Sequence, residues 1–121
     1  MYAQPKKGPT MLYDTPNLEE TIAKNKALAK EKAALYGWDL FATMPSAHGM
    51  HYIDQNGINI KIYLDSGNFD LVYNVDASLF RLGLEDAGSF SNEAHFVGFY
   101  MQITNMVITL KASGMASHWW K

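Results

Sequence analysis

The chain predicts an α+β domain, an N-terminal helix packed on an antiparallel sheet of roughly four to six strands with a meander at its centre. Two observations carry this. The run Met50 to Val75, MHYIDQNGINIKIYLDSGNFDLVYNV, contains three apolar-alternating stretches divided by Asn56-Gly57 and by Asp65-Ser66-Gly67-Asn68. Both dividers are turn sequences, since Asn and Gly accept positive φ and Asp and Ser bond their own backbone. Upstream, Leu18, Ile22, Ala29, Ala33 and Tyr36 fall on one side of a helical repeat, which gives a buried stripe with lysines pointing away.

Residues 1–14, with Pro5, Gly8 and Pro9, read as a flexible arm, and residues 15–121 as a single domain. Thr15 and Pro16 suit the N-cap and first turn of the helix, Glu19 and Glu20 complement its positive end, and Gly37 suits its C′ position. Trp38 to Met44 reads as a strand stopped by Pro45.

A two-residue loop at Asn56-Gly57 pairs Ile53 with Ile60 and His51 with Ile62, and the second turn pairs Leu64 with Phe69 and Ile62 with Leu71. This register buries Ile53, Ile58, Ile60, Ile62, Leu71, Tyr73 and Val75. It sends Tyr52, Asp54, Asn59, Lys61, Tyr63, Asp70, Val72 and Asn74 to the opposite, polar face. Asp76 is placed to cap a short helix from Ala77 to Leu84, and Glu85 to Asn92 reads as a surface loop. Residues 95–112 fit either a helix or a hairpin turning at Thr104-Asn105. The hairpin is favoured, because β-branched and aromatic residues dominate and Gly98 is a poor helix interior.

With 121 residues, 48% of them hydrophobic and 18% charged, the chain is long enough for one real core. It has no cysteine, which removes disulfides and thiolate chemistry and fits a reducing, cytoplasmic setting. No leader pattern is expected in the N-terminal residues, and no segment is apolar over a membrane-spanning length. A net charge of −2 argues against nucleic acid, whose phosphates need arrays of Lys and Arg. Residues 1–32 are mildly basic, with six lysines against four acidic residues, as a solvated helix would be.

No catalytic motif is present. The serines sit in no nucleophile elbow and the glycines in no phosphate loop. His48 and His51 have the H-x-x-H spacing with Asp54 beyond, but residues three apart on a strand face opposite ways, so no metal and no cofactor is expected.

The binding candidates are Tyr52, Lys61, Tyr63 and Asp70 on the polar sheet face, and Arg81, the single arginine, whose guanidinium suits a carboxylate or phosphate. Trp119 and Trp120 are candidates for an interface. These features suggest a non-catalytic binding module for a small polar or anionic ligand or a protein partner, and the apolar last third suggests a homo-oligomer. The alternatives are an enzyme with a scattered site drawn from His51, His95, His118, Asp54 and Arg81, and an assembly protein using its tryptophan tail.

Overall fold

The computed structural model describes residues 18–65, 67, 69–83 and 85–114. Its first element is helix α1, Leu18–Tyr36, which Gly37 ends at φ +76°. Trp38 N–H then donates back to the Ala33 carbonyl at 2.9 Å. Ala29 and Ala33 are buried as the stripe requires, and their small size lets the helix approach the sheet closely. One lysine does not point away. Lys32 is buried, and its ammonium pairs with Glu93 at the start of the second helix. The arm, the Thr15-Pro16 cap and the Trp119-Trp120 tail lie outside the described residues.

Five strands follow, β1 Asp39–Met44, β2 Gly49–Ile53, β3 Asn59–Leu64, β4 Leu71–Asp76 and β5 Ala87–Phe90. They form one antiparallel meander in sequence order. The chain then enters helix α2, Glu93–Ala112. Both helices lie on one side of the sheet, α1 against β2 and α2 against β4 and β5. The core between the layers includes Ile58, Ile60, Ile62, Tyr73, Val75, Phe80, Phe96, Ile103 and Val107. No described helix is long and apolar enough to cross a membrane.

Residues 95–112 are thus helical rather than a hairpin. Phe96, Tyr100, Ile103 and Val107 recur at helical spacing and are all buried on the sheet, while Gly98 lies on the exposed side. Asn92 caps the helix by accepting from His95 N–H at 3.0 Å. Burial of this stripe outweighs the weak helix propensity of the β-branched residues. Residues 87–90, expected to be loop, are an edge strand, and only Ser78–Phe80 of the expected helix after Asp76 winds, as one 3-10 turn.

The first hairpin also differs from its expected register. Tyr52 pairs with Ile60 and Ile53 with Asn59, a displacement of one residue. The loop holds three residues, Gln55 to Gly57. It is closed by Asp54 N–H donating to Ile58 C=O at 3.0 Å and Gly57 N–H to Asp54 C=O at 3.1 Å, with Gly57 at φ +94°. Asp54 selects this loop, because its Oδ1 accepts from both Asn56 and Ile58 N–H at 2.9 Å. The displacement turns β2 over: Met50, Tyr52 and Asp54 are buried under the helices, and His51 and Ile53 face outward.

In the second hairpin Leu64 pairs with Leu71 and Ile62 with Tyr73, two residues from the expected partners. Phe69 N–H closes the loop onto Asp65 C=O at 2.7 Å, with Phe69 at φ 59°. A shift of two preserves the faces, so Ile60, Ile62, Tyr73 and Val75 are buried as expected.

The open face of the sheet

With both helices on one side, the other face of the sheet carries no covering element among the described residues. Alternation brings His51 and Ile53 from β2, Asn59, Lys61 and Tyr63 from β3, and Val72, Asn74 and Asp76 from β4 onto it. All eight are half-buried, as side chains packed flank to flank on a sheet are.

Lys61 stands at the centre, opposite His51 on one side and Asn74 on the other. The His51 ring Nε2 is 2.8 Å from Asn59 Oδ1, and its ring packs against Phe41 with centroids 4.7 Å apart. Asn74 donates to Gly88 C=O at 3.2 Å and to Ser89 Oγ at 3.0 Å. Asp76 Oδ1 accepts from the Ser78 N–H and hydroxyl. Burial works to raise the Asp76 pKa, but the Ser78 bonds, then Lys61 and His51, outweigh it and hold the carboxyl below its ordinary value.

At the far end of β3, Tyr63 borders a shallow hollow of about 650 Å³. Its walls are Ser46 and Ala47 from the β1–β2 connection, Leu64 and Asp65, and Val72 and Ser89 from the neighbouring strands. The connection is pinned there because Gly49 packs directly on Tyr63 and Ile62. A Cβ on Gly49 would collide with Tyr63 Cβ and reach 2.7 Å from the Ile62 carbonyl. Only glycine fits at this position.

The structure therefore keeps Lys61 and Tyr63 together on one face and puts Tyr52 on the other. Tyr52 lies on the opposite side of the sheet, 3% exposed, in ring contact with Trp38, and its hydroxyl has no hydrogen-bond partner among the described residues. Asp70 sits in the exposed loop before β4, where its carbonyl accepts from Asp65 N–H. Arg81 is exposed at a left-handed corner after the 3-10 turn, at φ 52°.

Of the scattered His/Asp/Arg pool, the described His51, Asp54 and His95 do not converge either. His51 is on the open face, Asp54 is buried on the helix side, and His95 is exposed in the first turn of α2. His118 lies outside the described residues. His48 and His51 likewise part: His48 lines a hollow beside α1, and His51 faces the open side.

Sequence reasoning missed His51 and Asp76 as members of this face. His51 was hidden by the one-residue register change, and Asp76 by its reading as a helix cap. The chain was compared with protein-family models, with curated proteins and with solved structures, and none matches.

Proposed function

We propose that this protein is a non-catalytic binding module that holds a small polar or anionic ligand on its open sheet face, between Lys61 and Tyr63. The observation that carries this is the hollow beside Tyr63 on a face that no helix covers. It combines an aromatic ring for stacking with the hydroxyls of Ser46 and Ser89, and Lys61 stands two residues along the same strand. Lys61 is half-buried between its cross-strand neighbours His51 and Asn74, with the Asp76 carboxylate near enough to feel its charge, so less ordering entropy opposes capture of an anion that competes with Asp76.

Native mass spectrometry of the purified chain, followed by ligand-observed NMR against a panel of small carboxylates and phosphates, tests the reading. The expected result is a bound small molecule whose signals Tyr63→Ala and Lys61→Ala both remove while the fold persists. Absence of binding across the panel, or binding unchanged by both substitutions, refutes it. A mass corresponding to a homodimer that Tyr63→Glu returns to a monomer would transfer the face from ligand to subunit contact.

A further inference from the structure

We propose that the free edge of β1 is a second docking site, which takes an extended acidic peptide segment as an added strand, with its carboxylates on Lys26 and Lys30 of α1. This does not rest on the open-face reading, since it uses the sheet's edge, Phe41 and the helix-side lysines, and neither Lys61 nor Tyr63.

The strand order leaves β1 at the border of the sheet, where a row of backbone N–H and C=O groups has no strand partner among the described residues. Edge strands are ordinarily guarded by lysine, proline or brevity. The other edge, β5, has four residues and runs into α2, whereas β1 has six, lacks lysine and proline, and is guarded only by Asp39 at its start and the irregularity at Phe41, which leaves Ala42–Met44 beside the lysines as the open stretch. Its apolar side chains are exposed on both sides of the edge. Leu40 is 54% exposed on the helix side, and Phe41, at an irregularity in the pairing with β2, is 64% exposed with its ring turned to the open face.

The charge of the occupant follows from what stands beside the edge. Because α1 packs over β2, a hollow of about 290 Å³ remains between α1 and the end of β1. Lys26, Thr43 and His48 are its polar side chains, and no carboxylate lines it. Lys30 is one helical turn along from Lys26 on the same flank of α1, toward the middle of β1. Neither lysine has an ion-pair partner among the described residues. A strand added to this edge alternates its side chains between the lysine-bearing groove and Phe41, so acidic residues at every second position meet both lysines.

The test is fluorescence anisotropy of the full chain with a dye-labelled six-residue peptide alternating glutamate and valine, beside its glutamine–valine analogue. The glutamate peptide should bind about tenfold more tightly, as charge-assisted contacts imply. Lys26→Ala with Lys30→Ala should remove that difference and leave the glutamine peptide unaffected. Amide shifts in an NMR titration should concentrate in residues 39–44. Equal binding of the two peptides, no binding, or shifts centred elsewhere overturns the proposal. So does slow hydrogen exchange at every β1 amide in the free chain, which would show the edge already covered, by residues 1–17 or by a second copy.

Discussion

The Tyr100 hydroxyl donates to the buried Asp54 carboxylate at 2.8 Å, and through this bond α2 is tied to the loop that sets the register of the β2–β3 hairpin. The Tyr100 oxygen also accepts from Trp38 Nε1–H at 2.9 Å. One phenol thus links the segment after α1, the first hairpin and the last helix. Asp54, 4% exposed, spends its two oxygens on Tyr100 and on two loop amides. Lys111 reaches the same loop, donating to Asn56 C=O at 2.7 Å.

Two tyrosines in one core should respond oppositely to loss of their hydroxyls. Tyr100→Phe leaves a buried carboxylate short of one donor and the Trp38 N–H unpaired, which costs about 2 kcal/mol. Tyr52→Phe removes a hydroxyl with no partner and should be neutral or stabilise by up to about 1 kcal/mol. Urea midpoints at constant slope decide this, and a destabilised Tyr52→Phe would show that the hydroxyl is bonded.

For the ion pair between the helices, the order of effects is the prediction. Glu93→Ala strands a buried ammonium, whereas Lys32→Met removes the charge and keeps the packing, so Glu93→Ala should be the more destabilising. Because the Glu93 side chain is 52% exposed, water moderates the loss to about 1–2 kcal/mol. Thermal unfolding of both variants tests the order.

Stability should fall at alkaline pH. Burial raises the pKa of Tyr52, Tyr73 and Tyr100 above the ordinary 10.0, with the Asp54 carboxylate adding to the effect at Tyr100. Burial opposes the charge on Lys32, but Glu93 outweighs it and lifts the group above 10.5. In each case the native state keeps a proton that the unfolded chain releases. Stability is therefore complete below these ordinary values and is lost as pH rises through the raised ones. Asp76 acts at the other limb, its contribution present above 3.8 and lost as pH falls through its lowered value. Urea titrations across pH, with tyrosinate absorbance alongside, check both limbs.

Two glycines separate close approach from mere tolerance. Gly49→Ala forces the β1–β2 connection off Tyr63 and should cost at least about 2 kcal/mol. At Gly98, mid-helix, a Cβ meets nothing within 4 Å, so Gly98→Ala should stabilise by about 0.5–1 kcal/mol. Chemical denaturation of the two variants reads the contrast.

Of the site, Lys61 and Tyr63 were legible from sequence because both lie on β3, whose alternation any even register preserves. Tyr52 was not. Asn56-Gly57 serves a two-residue and a three-residue loop equally well, and the choice falls to Asp54, whose side chain bonds the loop amides and then Tyr100, 46 residues away.

The sequence by itself determined the α+β class, α1 and its end at Gly37, β1, and the inward faces of β3 and β4, because these follow from local periodicity and turn chemistry. Tertiary structure decided the facing of β2, the helical state of residues 95–112, and the burial of Lys32. Each of these turns on a partner distant in the chain: Tyr100 for Asp54, the sheet for Phe96 and Val107, and Glu93 for Lys32. A side chain pattern that satisfies two periods, or a loop that satisfies two lengths, is resolved only by what the fold brings against it.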